Sequence, residues 1–262
     1  MPEDRLPAPA LFDGHARGAY TLPDELLKLR DVHTKLTNEP WPVPPQSSWE
    51  LTGQLATATV DALYAGAPLP DPADIERARA AERVRADTIE LLGMALEIAA
   101  RRVSSCIREQ SEQIITGHLA PALDATWQGI REAVGVLHQH GEDEPRRLLS
   151  APAKVRKASD QLDQLAETYT VIRAGRQAMW SMGIRCIEDP GDRYATLANF
   201  DDLHRTRMAM SRTPWHGMSL RQTLIYFVDH AAQPWMPTPE QQAAKVAEAI
   251  ANGPHKLKAV GF

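Results

Sequence analysis

One stretch of the chain, residues 155–179, constrains the fold more than any other. Its apolar side chains recur at alternating spacings of three and four residues, interrupted only by the charged side chain of Arg176. This spacing is typical of a helix that packs along another helix through a narrow seam. The predicted seam residues of this helix are Val155, Ala158, Leu162, Leu165, Tyr169, Ile172 and Met179.

The segment that precedes this helix supplies the predicted partner. Its apolar residues share one helical face and are Leu119, Leu123, Trp127, Ile130, Val134 and Leu137. A short polar segment around Gly141 and Pro145 joins the two, which predicts a coiled-coil-like antiparallel hairpin. We expect Arg176 to be tolerated within the seam through a salt bridge to Glu109 or Glu112.

Residues 71–138 predict a long helix with one interruption. Asp71 can cap its first free N–H groups, and Pro72 suits the first helical position. Pro121 predicts a kink, with Gly117 absorbing the distortion. An apolar stripe is predicted to be buried along the middle, with a second set of residues widening the buried face. The stripe is Ile89, Leu92, Leu96, Ala99, Val103 and Cys106, and the second set is Leu91, Ala95 and Ile98.

The predicted fold class is all-α, in three parts. Residues 1–70 form an extended proline-rich arm with short helices, residues 71–184 the long antiparallel hairpin, and residues 185–262 a small helical module. Residues 1–19 are expected to be extended. The prolines of residues 38–48 predict either a strap pinned by Trp41 and Trp49 or a ligand for an aromatic groove, and we favour the strap.

Shorter helices are predicted on either side of the hairpin. They are expected at 21–36, 51–64, 194–210, 219–229 and 239–252. In the last of these, Thr238 and Gln241 have the spacing of a capping box. Leu224 and Phe227 contribute to an expected apolar cluster in the module.

Composition and charge exclude several classes of protein. A net charge of −5 argues against a dedicated binder of nucleic acid or of anionic membranes. Two cysteines give no disulfide framework, and no apolar run approaches the roughly 20 residues that cross a bilayer. The first residues lack a signal-peptide pattern. We therefore expect a cytoplasmic protein that does not span a membrane.

Candidate chemical groups are few. His204, His216, Asp229 and His230 lie close in sequence, but their spacing matches no known metal-ligand pair on one helix face. We interpret them as surface or helix-terminal residues and predict no catalytic residue, metal or cofactor. A basic patch is neutralised in part by neighbouring acids, which favours a solvated helix end over a nucleic-acid site. The patch comprises Arg146, Arg147, Lys154, Arg156 and Lys157.

One segment carries a resemblance to a known group of proteins. Residues 112–123 read Glu112, Gln113, Ile114, Ile115, Thr116, Gly117, His118, Leu119, Ala120, Pro121, Ala122 and Leu123. This resembles the helix, His-Leu-x-Pro-Ala-Leu, helix segment of small helical proteins encoded among the structural genes of tailed actinobacterial phages and prophages. The resemblance implies a minor virion or assembly component and assigns no site residues.

These observations leave function open between two classes. The first is a non-enzymatic structural or assembly protein that acts through helical packing and association with itself or with protein partners. The alternative is a metal-dependent enzyme or binding module that uses the C-terminal histidines and aspartate. An adaptor that binds nucleic acid through the basic patch is a weaker alternative.

Overall fold

The protein is all-α, as predicted. The computed structural model describes residues 6–40, 42–43, 47–140, 150–189, 193–205 and 213–251, with the backbone alone at residues 204 and 205. Its α-helices are α1 Pro9–Ala16, α2 Asp24–Asn38, α3 Ser48–Ala65, α4 Ala73–Glu109, α5 Ser111–Ile114, α6 Ala120–Gln139, α7 Ala153–Ser181, α8 Phe200–Arg205, α9 Leu220–Asp229 and α10 Pro239–Ala251. A π-helix, Ile115–Leu119, joins α5 to α6.

The chain divides into two compact units. Unit 1 comprises Met1–Pro7 and Leu27–Val103, and unit 2 comprises Ala8–Leu26 and Ser104–Phe262. The division falls inside α2 and α4. The predicted three-part division, with boundaries after residues 70 and 184, therefore stays a prediction.

In unit 1, α3 is held by polar contacts near its first turn. The carboxylate of Glu82 accepts hydrogen bonds from the backbone N–H of Ser48 at 2.7 Å and from its hydroxyl at 2.9 Å. These two bonds, the backbone one first, lower the pKa of Glu82. Trp49 is 82% exposed, so its predicted role as an anchor of the strap is wrong. Trp41 lies outside the described residues.

The start of α4 follows its sequence signals. A carboxylate oxygen of Asp71 accepts the backbone N–H of Ala73 at 2.9 Å, which confirms the predicted cap. The break that follows is longer than the kink expected at Pro121. It includes Gln110, which lies between α4 and α5, and the π-helix, whose wider turn lets the N–H of Ala120 bond the carbonyl of Ile115. Pro121 then lies in the first turn of α6, where its missing donor costs nothing.

In unit 2, α6 packs against α7. Two sets of contacts define their direction. A side chain built at Gly129 would lie 3.0 Å from Cδ1 of Leu165. The hydroxyl of Thr21 lies 3.1 Å from Nδ1 of His118, while the preceding Tyr20 touches Gly175. Moving forward from residue 118 to 129 therefore corresponds to moving back from 175 to 165, so the two helices run antiparallel.

The expectation that residues 1–19 are extended is wrong, because residues 9–16 form α1 and α1 packs against α7. The hydroxyl of Tyr20 donates to the carbonyl of Leu11 at 2.8 Å. Its ring contacts Gly14 and Gly175, and a Cβ at either glycine would overlap the ring or its hydroxyl. The buried tyrosine thus fits against α1 and α7 only because both positions are glycine.

The C-terminal part of unit 2 is organised around Asp189, which is buried. Its carboxylate accepts the backbone N–H groups of Arg193 at 3.1 Å and Tyr194 at 2.9 Å, and the side-chain amide of Gln242 at 2.9 Å. These bonds tie the end of the α7 segment to α10. Buried carboxylates persist when hydrogen bonds replace their water, and here three donors do so.

The predicted helix at 194–210 is corrected at its start, since α8 begins only at Phe200. The backbone before it pairs with residues 233–235 instead: Ala198 N–H donates to Gln233 at 2.9 Å and Trp235 N–H to Thr196 at 3.2 Å. Residues 206–210 lie outside the described part.

The capping box of α10 is confirmed, with Thr238 and Gln241 exchanging backbone-to-side-chain bonds of 3.0 and 3.2 Å.

Candidate functional site

The predicted seam residues of α6 and α7 are almost all buried. Leu119, at the end of the π-helix, is buried, as are Leu123, Trp127, Ile130, Val134 and Leu137 of α6. On α7, the buried residues are Val155, Ala158, Leu162, Tyr169, Ile172 and Met179, whereas Leu165 is partly exposed. These side chains form the apolar interior of unit 2. A regular coiled-coil geometry between the two helices stays a prediction.

The salt bridge predicted for Arg176 is wrong. Its guanidinium is buried and donates to the carbonyl oxygens of Ile184 at 2.9 Å and Pro237 at 3.4 Å, and Glu109 and Glu112 are both exposed. Burial, and then the charge of Arg173, lower the pKa of Arg176 to about 10. The seam therefore accommodates this charge through backbone carbonyls of the loops beyond α7, which periodicity cannot reveal.

Two of the candidate metal ligands, Asp229 and His230, have other partners. Asp229 lies 3.5 Å from Nε2 of His138. His230 stacks on Tyr226 with ring centroids 3.8 Å apart, and its Nδ1 lies 2.9 Å from the carbonyl oxygen of Tyr226. His216 is exposed, and the side chain of His204 lies outside the described residues. Across the described ranges, no three His, Cys, Asp or Glu side chains are grouped as metal ligands would be.

The basic patch is described only in part. Lys154, Arg156 and Lys157 are exposed in the first turns of α7, and Arg146 and Arg147 lie outside the described residues. Both cysteines are free and buried, and burial is the main cause of the raised pKa of each thiol. A raised thiol pKa disfavours the reactive thiolate.

The surface that the sequence did not predict lies on α4, in unit 1. Leu91 and Ile98 were expected to widen the buried face, but they are 66% and 48% exposed. With Val84 (64% exposed) and Met94 (55%), they form what we call the open stripe. Its members recur every seven residues at 84, 91 and 98, with Met94 three residues after Leu91. This is the spacing of a helix-packing seam, and it faces solvent.

The open stripe lies beside the buried stripe of α4 and is distinct from it. Leu96, Ala99 and Val103 are buried, whereas Ile89 and Leu92 are partly so. At 100° per residue, the two stripes are centred on the order of 120° apart around the helix. Helix α4 therefore carries two apolar stripes, of which one is covered within the chain and one faces solvent.

Two charged residues lie on the same face of α4 as the open stripe. Asp87 and Arg101 occupy the heptad positions on either side of Met94, seven residues before and after it, and both are exposed. Arg101 also pairs with Glu97 on its own helix. The face therefore carries a negative charge between Val84 and Leu91 and a positive charge beyond Ile98.

The neighbouring helix α3 is also unusually exposed. None of its 18 residues is buried, and Val60, Leu63 and Tyr64 are 65%, 66% and 96% exposed. A soluble helix normally buries one face. Unit 1 thus presents apolar side chains from two helices.

Comparison with other proteins adds no relative: no family model matches the chain, and neither the curated proteins nor the solved structures compared with it contain a match. In the described part of the chain, no helix is both long enough and apolar enough to cross a membrane.

Proposed function

We propose that this protein is a non-enzymatic assembly protein that associates with a second copy of itself through the open stripe of α4. The observation that carries the proposal is the heptad spacing of four exposed apolar side chains. A seam of this period is complementary to a helix of the same period, and α4 itself is such a helix. Covering the seam removes apolar surface from water, which favours association.

The charges of Asp87 and Arg101 favour an antiparallel pair of α4 helices. When Leu91 of one copy packs against Met94 of the other, Asp87 lies opposite Ile98. Arg101 of that second copy is then three residues away, or about one helical turn. The pair thus has two acid–base contacts, one at each end, and each contact joins Asp87 of one copy to Arg101 of the other. In a parallel pair, Asp87 would instead face its own counterpart, which is unfavourable.

The mass of the protein in solution tests this proposal. We expect a dimer that dissociates on dilution, and a monomer at all concentrations for the double substitution Leu91→Glu with Ile98→Glu. Glutamate is a good helix former and both positions are exposed, so the far-ultraviolet circular dichroism should be unchanged. Ala86→Glu introduces one glutamate on another exposed face of α4 and should leave the dimer intact.

A charge exchange tests the antiparallel register. Asp87→Lys should weaken the dimer because two positive charges then meet, as should Arg101→Glu with two negative ones. Combining both substitutions restores opposite charges and should recover most of the association. A monomeric native protein at high concentration contradicts the proposal, and equal weakening by Ala86→Glu contradicts the placement of the interface.

We further propose, from the resemblance of residues 112–123 alone, that the assembly belongs to a phage or prophage virion. Mass spectrometry of purified particles from an induced prophage that carries this gene would test it. The protein should be found in the particles in fixed proportion to the major capsid or tail protein. Its presence only in the unassembled fraction contradicts this placement.

A further inference from the structure

Unit 2 contains a cavity that neither the seam nor the proposed self-association explains. It has a volume of about 340 Å³, which lies within the size range of small-molecule sites. Five lining residues come from α7, two from the loop before α8, and one from α9. They are Tyr169, Arg173, Arg176, Gln177, Trp180, Ala195, Thr196 and Phe227.

The polar side of this cavity is positively charged. Arg173 donates to the carbonyl oxygens of Trp235 at 2.7 Å and Thr196 at 2.8 Å, and Arg176 donates to that of Ile184. Carbonyl oxygens satisfy donors without neutralising the charge. No carboxylate lines the cavity, and among the described residues neither arginine forms an ion pair.

Two further observations describe the surroundings of these two guanidinium groups. Nε of Arg173 is buried and has no hydrogen-bond acceptor in the described part of the chain. A buried donor without an acceptor costs free energy in the folded state. Burial and then the nearby charge of Arg173 disfavour the cationic form of Arg176 and lower its pKa. An anion bound in the cavity would stabilise the cationic form of Arg176.

Aromatic side chains also line the cavity. Tyr169, Trp180 and Phe227 line it, and the guanidinium of Arg173 lies over the Tyr169 ring, 5.0 Å from its centroid. Flat aromatic walls favour a flat apolar group, and guanidinium charge with no carboxylate in the lining favours an anion such as a carboxylate. We propose that this cavity binds a small aromatic carboxylate, with its acid group at Arg173 and Arg176 and its ring among the aromatic side chains.

The position of Gln177 allows a test that leaves the fold intact. It lines the cavity and is exposed, whereas Arg173 and Arg176 hold loops in place and their removal would disturb the structure. Gln177→Glu adds a negative charge beside the predicted carboxylate site, and Gln177→Lys adds a positive one. Gln164→Glu changes the net charge by the same amount at an exposed position earlier in α7 that does not line the cavity.

Isothermal titration of the full chain with phenylacetate, in a buffer without carboxylate or phosphate, measures binding directly. We expect one saturable site per chain, with acetate and 2-phenylethanol binding at least about tenfold more weakly because each lacks one half of the recognised group. Gln177→Glu should weaken binding by about fivefold and Gln177→Lys should strengthen it. Gln164→Glu should bind as the native chain does.

Three results would overturn the proposal. The first is the absence of saturable binding by phenylacetate. The second is equal binding by 2-phenylethanol, which would show that the arginines do not recognise the acid. The third is an equal effect of Gln177→Glu and Gln164→Glu, which would place the ligand elsewhere. Since the cavity lies in unit 2 and the open stripe in unit 1, each of these results leaves the self-association proposal untouched.

Discussion

Units 1 and 2 use the same kind of sequence pattern with opposite results. In unit 2, the heptad residues of α7 and the matching face of α6 are buried within the unit. In unit 1, the heptad residues of α4 face solvent, and α3 buries none of its residues. A helical repeat thus indicates that a helix has an apolar face, but not whether that face is covered within the same chain.

The largest contrast is expected from one type of substitution made in both units. Ile130→Ala removes a fully buried side chain of α6 and should lower the free energy of unfolding by about 3 kcal/mol. Leu91→Ala, measured in urea at a concentration where the chain is monomeric, should change it by less than about 0.5 kcal/mol. Similar costs at the two positions would show that the open stripe is covered within the chain.

The glycine that contacts Tyr20 gives the next largest effect. Gly175→Ala introduces a Cβ that overlaps the tyrosine hydroxyl and should destabilise unit 2 by about 2 kcal/mol in thermal or urea unfolding.

Gly135→Ala on α6 is the matched control, because nothing lies within 4 Å of the added Cβ. It should stabilise the helix by about 0.5–1 kcal/mol. In a Tyr20→Phe background the cost of Gly175→Ala should fall, because the overlapping oxygen is gone. An undiminished cost there would contradict the assigned contact.

The buried phenol of Tyr20 should also make the stability of unit 2 depend on pH. Burial, and then the charge of Asp13, raise the pKa of this phenol above its ordinary value of 10.0. The folded state therefore favours the neutral phenol. The stability that it contributes is fully present below pH 10 and is lost as pH rises above it.

Urea unfolding of the native chain and of Tyr20→Phe, followed from pH 8 to about pH 11, measures this contribution. The phenylalanine variant should be less stable at pH 8 by about 1 kcal/mol, the value of a lost hydrogen bond. It should also lose less stability above pH 10 than the native chain does. Parallel pH profiles for the two chains would show that Tyr20 is not the responsible group.

The smallest effects on stability are expected from substitutions at helix caps. Thr238→Ala removes the capping box of α10 and should cost about 1 kcal/mol in the unfolding of unit 2. Asp71→Ala removes the cap of α4, where Ala78 alone is buried in the first turns. It should raise amide exchange locally with little change in the global midpoint. A fall in global stability as large as that of Thr238→Ala would mean that the start of α4 is more tightly packed than its exposure indicates.

Local signals in the sequence predicted much of this fold. The cap at Asp71, the reciprocal bonds of Thr238 and Gln241, and the apolar faces of α6 and α7 depend on residues close together in the chain. Their physical causes, backbone donors at a helix end and the 3.6-residue period, act over one or two turns. Such features are readable without knowing the tertiary structure.

The features that sequence reasoning missed depend on distant residues. Helix α1 was expected to be extended because its prolines and glycines disfavour regular structure, but contacts of Tyr20 with Gly14 and Gly175 stabilise it. Arg176 was paired with a glutamate because its carbonyl partners lie in loops whose path no period encodes. The aromatic and arginine side chains of the cavity come from two separate helices, α7 and α9.

The candidate interface was missed for a different reason. Leu91 and Ile98 were recognised as apolar members of a helix face, but that face was assigned to the interior. One helix can carry two apolar stripes, and hydrophobicity alone does not distinguish the stripe covered within the chain from the one left for a partner.

Amide hydrogen exchange at several protein concentrations tests the central claim most directly. Peptides covering residues 84–98 of α4 should become more protected as concentration rises, whereas those of α6 and α7 should exchange at a constant rate. In the variant carrying Leu91→Glu and Ile98→Glu, that concentration dependence should disappear. Protection of residues 84–98 that is independent of concentration in the native chain would contradict the account.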